Sequence, residues 1–366
     1  MAGYALTVKL VPQARAPPQL GMRFALFLAA ALAATLGPPG ARAQTADDQR
    51  ILTFQFENDL FGNADRHYTQ GMRAAYVPRQ ADVPRWAYAT ANRMVDVAQL
   101  LPSWPVSTGQ PEPTPRTLVG YAVAQEMFTP TDIANRAPDG TDRPYAGWLY
   151  GALSVHALYP EMGRLDSIEL AVGVVGPGSL ARETQTEWHQ AFGWQTPEGW
   201  DTQLHPEPAV LLLLGTKRRL GDTIHFGSLE FDAHREFEMG VGNVYDFAGF
   251  GLFGRVGRHG ADPFGPPRLR PSLSGFDFFD PAEHWGWYVF GGGTLRAVAH
   301  NMFLDGNTLR DSPRVDRRPL VAEAQIGAAL FVQNIRIAYT HVVRTREFAG
   351  QHDPDSFGGL SVSVRF

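Results

Sequence analysis

The chain of 366 residues contains no cysteine. That excludes a disulfide framework, a thiolate zinc site and a cysteine nucleophile. Charged residues are few, at 19%. Lysine is almost missing: beyond residue 43 only Lys217 remains, so the positive charge there is nearly all arginine. Residues 1–43 hold Lys9, Arg15, Arg23 and Arg42 and no acid, so setting them aside leaves 28 basic against 37 acidic side chains and moves the formal charge from −5 to −9. Such a balance argues against a nucleic-acid partner. There is no G-x-S-x-G elbow of an α/β-hydrolase, no P-loop and no H-E-x-x-H zinc helix. Past Leu36 no apolar run is long enough to cross a membrane as a helix.

What is present begins with an export signal. Met22-Arg23 precedes the apolar run Phe24–Leu36, followed by Gly-Pro-Pro-Gly and Ala41-Arg42-Ala43. This is a basic segment, a short hydrophobic segment and a small-x-small cleavage site, the three parts of a secretory signal. Residues 1–43 are therefore read as an N-terminal extension with a signal peptide, and 44–366 as a single domain. An exported chain with no spanning helix is either soluble or a membrane β-barrel.

The body alternates with period two. Ser228, Glu230, Asp232, His234, Glu236 and Glu238 fall on one face of their segment, and Leu229, Phe231, Ala233, Phe237 and Met239 on the other. Ile168, Leu170, Val172 and Val174 alternate with polar or small residues, as do Ile335, Ile337, Tyr339 and Val343. The chain ends on Leu360, Val362, Val364 and Phe366 in the same pattern. A soluble sandwich also alternates. Three features favour an outer-membrane-type antiparallel β-barrel: charged residues in mid-strand, the terminal Phe, and aromatics placed near strand ends (Trp148, Tyr150, Tyr159, Trp285, Trp287, Tyr288, Phe366). Twelve strands are expected, near 50–57, 70–78, 117–128, 147–159, 164–176, 208–219, 223–238, 244–258, 285–300, 318–332, 335–347 and 356–366. The connections 79–116 and 259–284 are rich in Pro and Gly and read as long loops. With a periplasmic N-terminus, odd-numbered connections face outward.

Three of those outward connections collect unusual chemistry. The first carries Glu57, Asn58, Asp59, Asn63 and Asp65, hard oxygen donors of the kind that Ca²⁺ takes in sets of six to eight. A polar turn rich in Asn, Asp and Gly would look the same. The second brings Arg136 and Arg143, whose planar forks suit phosphate or carboxylate, or pair with local Asp. The third contains Glu183–Phe192, read as a short helix with Gln185 and His189 four apart on one face. An imidazole there can serve as a general base, or be an inert surface histidine.

Taken in order, Glu57-Asn58-Asp59 with Tyr68-Thr69-Gln-Gly71, Asp142-Arg143-Pro-Tyr-Ala-Gly-Trp148, Gly176-Pro177, Gln185-x-x-x-His189 and Gly199-Trp200-Asp201-x-Gln203 resemble the LpxR-type lipid A deacylases over about residues 50–366. The resemblance implies a twelve-stranded outer-membrane barrel and a Ca²⁺-dependent esterase that removes the 3′-acyloxyacyl chain of lipid A in lipopolysaccharide. It implies Asn58 and Asp59 at the metal; Glu57 and Asp65 are expected beside them as further oxygen donors from their spacing alone. Thr69 and Gln185 match active-site positions, and His189 the base. The sequence departs from the pattern at Leu60, where some members carry a second Asp, and at Asn135, where a Lys precedes the Arg. Arg136 and Arg143 are the expected phosphate contacts. Three other readings compete: a structural or pore-type barrel without hydrolase activity, an outer-membrane phospholipid esterase, and a soluble glycan-binding sandwich.

Overall fold

The computed structural model describes residues 49–59, 67–100, 114–136, 140–258, 278–279 and 285–366. The signal segment, Leu60 and Asp65 lie outside them. Among the described residues thirteen strands form one antiparallel sheet: β1 Ile51–Asn58, β2 His67–Val77, β3 Arg116–Thr129, β4 Ala146–Tyr159, β5 Arg164–Val175, β6 Glu207–Arg219, β7 Ile224–Phe226, β8 Leu229–Gly242, β9 Tyr245–Arg258, β10 Trp285–Asn301, β11 Leu320–Val332, β12 Ile335–Arg344 and β13 Asp355–Arg365. Each pairs with its sequence neighbour, except that β6 pairs with β8, and β1 with β13. Twelve strands thus close a barrel, and β7 is a short pendant on β8. Closure is completed where β1 meets β13, and just beyond them Arg50 N donates to Phe366 O at 2.9 Å.

The expected strands stand within a few residues of their predicted bounds, with one change of substance. The segment expected as a single strand over 223–238 turns back on itself at Gly227, whose φ is +63°. Residues 224–226 then pair with 229–231, and the barrel strand runs on to Gly242.

Burial separates a barrel in lipid from a sandwich in water. Val123 and Ile326 are each 61% exposed and Leu252 50%, while Glu236 is 3% and Glu238 2% exposed. Apolar side chains face out and charged ones face in, the reverse of a soluble sheet. Of the aromatics expected at the membrane surface, only Trp285, Trp287 and Phe366 are exposed. Trp148, Tyr150 and Tyr288 point inward, because their register partners are lumen residues, and Tyr159 is covered from outside.

The bore is filled. Towards the end that carries the odd-numbered connections, called here the loop end, Tyr68, Phe128, Trp148, Tyr150, Tyr245, Phe303 and Phe357 pack together. Trp148 stacks on Tyr150 at 3.9 Å and Phe128 on Phe303 at 4.2 Å. Phe303 belongs to α3 (Met302–Asp305), a single turn that caps this layer. Beside it runs a chain of buried ion pairs. Arg296 meets Glu238 at 2.6 Å and Glu323 at 3.0 Å; Arg344 meets Glu323 at 2.7 Å and Glu347 at 3.5 Å. A buried charge is tolerated only when paired in this way.

Two longer helices lie outside the wall. The connection read as a loop over 79–116 contains α1 (Arg85–Leu100). Val83, Ala87 and Ala91 pack against Val119, Val155, Ala157 and Tyr159. Val119 and Val155 share the face of exposed Tyr121, so α1 rests on the outer wall of β3–β5 at the opposite, turn end. The second, α2 (Ala181–Phe192), is the helix expected over 183–192.

Candidate active site on the outer wall

Residues directly opposite in a sheet share a face. Glu57 lies opposite Gly71 and Gly359, and its Cγ covers the space above Gly359; that face is the lumen. Asn58 stands on the other face, with Phe54 and Phe56, and is buried. The expectation that Glu57 and Asn58 serve one ion is therefore corrected, because strand alternation sends them to opposite sides of the wall. Asp59 follows Asn58 at the strand end and is 3% exposed.

Across from them β2 carries a bulge: Tyr68 pairs with Phe128, and Gln70 with Met127, leaving Thr69 as the extra residue. Tyr68 belongs to the lumen cluster. Gln70 is opposite Asn58 and so faces outward. Thr69 joins the outer face too, because its hydroxyl meets that of Thr129 at 2.6 Å, and Thr129 follows lumen-facing Phe128. A bulge of this type re-aims a side chain that regular alternation would have placed elsewhere. Asn58, Thr69 and Gln70 thereby share one side of the wall.

The third connection lays α2 over the same side. Gly176, at φ +89°, turns the chain, and Gly176 N donates to Gly147 O at 3.0 Å. Gln125 on the outer face of β3 donates to Ser179 O at 2.7 Å. A side chain at Gly147 would collide with Ser179 and Ala181, so glycine there is what lets the helix start touch the wall. The face of α2 against the wall is Ala181, Gln185 and His189, at spacing four. Trp188 stacks on Phe56 with ring centroids 5.9 Å apart, which brings the helix next to the end of β1. Met127, Ile133, Tyr145, Ala181 and Trp200 fill the space beneath.

Two hydrogen bonds define the chemistry. Trp200 Nε1 donates to Gln185 Oε1 at 2.8 Å. That orients the amide, and Gln185 Nε2, though buried, has no partner among the described residues. His189 Nδ1 is bonded to the carbonyl oxygen of Gln195. A carbonyl only accepts, so Nδ1 carries the proton, and in the neutral ring Nε2 is the nitrogen with the lone pair. The carbonyl reaches the ring because Gly193, at φ +71°, ends the helix in a left-handed turn and Trp194 N closes on His189 O at 2.8 Å. Gly193→Val should cost about 1–2 kcal/mol of stability from that backbone angle. Because it also releases Gln195 from the ring, it should lower roughly tenfold any hydrolysis that uses this imidazole as its general base. Thermal unfolding and turnover of the variant, measured side by side, check this; unchanged turnover would show that the carbonyl does not set the base.

Beside the helix is a groove of about 360 Å³ on the lipid side, lined by Phe54, Phe56, Met72, Val123, Leu360, Val362 and Trp188. It is apolar and open to the membrane side of the wall.

The two arginines part company. Arg136 is exposed and pairs with Glu198 at 2.6 Å. Arg143 is wholly buried, with Phe128 beneath its guanidinium at 4.6 Å and Glu347 at 3.4 Å. The expectation of Arg143 as a rim contact for phosphate is corrected: partners from two distant segments, β3 and 345–354, close over it. The residues around Asp142–Trp148 and Gly199–Gln203 act as a strap. Tyr145 O–H donates to Ile133 O at 2.8 Å, Leu204 N to Tyr145 O at 3.0 Å, and Gly199 lies against the Tyr145 ring. Sequence reasoning missed Trp200, Gln195, Gln70 and Thr129 as site residues. Trp200 and Gln70 did carry a signal, since both stand inside recognised motifs.

Among the described residues no group of three or more His, Cys, Asp or Glu is placed to hold a metal ion. A nitrogen- or carboxylate-rich transition-metal site is not formed by them. The donors near the end of β1 are the Asn58 amide, the Asp59 carboxylate and the hydroxyls of Thr69 and Thr129, all oxygen. Such a set suits a hard cation, with backbone carbonyls or water completing the shell.

The chain matches the family model for the outer membrane protein LpxR over residues 26–366. It is similar to the solved structure of LpxR from Salmonella typhimurium, with TM-score 0.67 and 18% identity, covering 86% of this chain and 99% of that one. Looser likenesses include the β domain of the Bordetella autotransporter BrkA (TM-score 0.36, 8% identity, 86% of this chain and 97% of that one) and the translocator domain of NalP from Neisseria meningitidis (TM-score 0.32, 8% identity, 95% and 98%). No curated protein sequence matches the chain.

Proposed function

Since the chain belongs to the LpxR family of outer-membrane proteins, we propose that it hydrolyses the 3′-acyloxyacyl ester of lipid A at the outer wall of the barrel. The observation that carries this reading is the His189–Gln185 pair, buried between α2 and the wall beside an apolar groove. The acyl chain lies in that groove, in the leaflet where lipopolysaccharide resides. The ester carbonyl sits at its loop end. His189 Nε2 takes a proton from a water as the water oxygen bonds to the carbonyl carbon. The carbonyl oxygen gains negative charge and is met by the Gln185 Nε2–H, which Trp200 holds in place. The C–O bond to the sugar then breaks. The sugar oxygen leaves with the proton from His189, and the acid is released. Asn58 and Asp59, with Thr69 nearby, would hold Ca²⁺, which would supply Lewis-acid stabilisation of negative charge on the ester oxygen. Arg136, the exposed guanidinium at the loop end, is the candidate contact for a glucosamine phosphate.

Mass spectrometry of lipid A from cells with and without the protein tests this. The expected product is lipid A lighter by one acyloxyacyl group. Unchanged lipid A with new lysophospholipid would move the substrate to phospholipid. No change in either lipid would leave a structural barrel. A pore has little support, because the buried aromatic layer and ion pairs occupy the bore.

A further inference from the structure

We propose that α1 is a lipid-seated helix that presses its small-residue face on the barrel and offers its cationic face to phospholipid headgroups at the turn end. The inner face is settled by packing: Ala87 and Ala91 are fully buried against the outer wall. Half a turn round lie Arg85, Ala89 and Arg93, spaced four apart and all exposed. No acidic side chain stands among the described exposed residues of the helix. On its flanks, Trp86 is 47% and Tyr88 38% exposed. Trp, Tyr and Arg together on an exposed helix flank are the composition of a membrane–water interface, where aromatic bodies sit at headgroup level and guanidinium groups meet phosphate.

The occupant follows from position. The surface that α1 covers, at Val119, Val155 and Ile168, continues directly into exposed Tyr121, Val123 and Leu170 of the lipid-facing wall. The helix therefore lies at the edge of the membrane and not on the barrel's open end. A soluble partner would have to displace lipid to reach it. The turn end faces the phospholipid leaflet, whose phosphates complement Arg85 and Arg93. Nothing in this inference depends on the esterase reading, so the two can fail separately.

Because the chain has no cysteine, Ala89→Cys gives a unique attachment point for a bimane fluorophore on the outward face. The full chain is folded into vesicles of phosphatidylcholine with or without phosphatidylglycerol, and heat-modifiable gel mobility confirms closure of the barrel. Phospholipid carrying a nitroxide on its headgroup should quench the label by at least ~twofold, with aqueous iodide much less effective. Quenching should be roughly twofold stronger in the anionic vesicles, and Arg85→Gln with Arg93→Gln should abolish that difference. A label that iodide quenches as freely as it does the free bimane–cysteine adduct, and that ignores the nitroxide lipid, would overturn the proposal. So would an anionic preference that survives loss of both arginines.

Discussion

His189→Ala should leave a closed barrel that deacylates at no more than about one-hundredth of the parent rate, since a positioned general base contributes ~10²–10⁴-fold. The closed barrel is expected because His189 sits on α2, outside the sheet, and none of the strand register passes through it. The loss is expected because Nδ1 is committed to the Gln195 carbonyl, leaving Nε2 as the nitrogen that can accept. Heat-modifiable mobility and lipid A mass spectrometry on one preparation separate folding from chemistry. Normal deacylation by a folded His189→Ala barrel would remove the ring from the mechanism. His189→Gln should be as inactive as the alanine variant while keeping more of the packing against Trp194, whose ring lies edge-on to the imidazole at 5.7 Å.

Asp59→Ala should cost ~10²–10³-fold, the range found when one electrostatic stabiliser of an oxyanion is removed. Chelation of divalent cations should bring the parent protein down by a similar factor, and added Ca²⁺ should restore it. Restoration should fail in Asp59→Ala at the same Ca²⁺ concentration. A readout independent of turnover is the thermal midpoint. Ca²⁺ should raise it in the parent and not in the variant, because only a ligand that binds the folded state stabilises it. An Asp59→Ala protein that keeps both its rate and its Ca²⁺-dependent midpoint would detach this carboxylate from the ion. With Leu60 in place of a second Asp, Asp59 is the carboxylate just past the end of β1 among the described residues, so its removal is the direct test of an ion there.

The barrel was legible because period-two alternation with charge in mid-strand suits a wall with lipid on one side and a polar bore on the other, and the turn residues mark where each strand stops. Gln185 and His189 were legible as a pair because helical spacing of four fixes a shared face. What escaped is set by contacts between remote segments. Arg143 reads as a loop cation, yet Phe128 and Glu347 enclose it. Glu57 and Asn58 are neighbours in the chain, yet the pleat sends them to opposite faces. The bulge at Thr69 has no compositional mark, and without it regular alternation would not put Thr69 and Gln70 on one side. The place of α2 on the outer wall depends on Gly147 and Gln125, which belong to different strands. The helix α1 did have a signal, with Val83, Ala87 and Ala91 at spacing four, but the prolines around it read as loop.

Docking α2 against the flank of the cylinder has a kinetic corollary. A substrate that slides sideways into the groove is never dissolved in bulk water, so its effective concentration is a number per unit of membrane area. Turnover should then follow the mole fraction of substrate in the bilayer. Adding inert lipid or detergent at constant total substrate would slow the reaction by surface dilution alone, whereas changing the aqueous volume would leave it untouched.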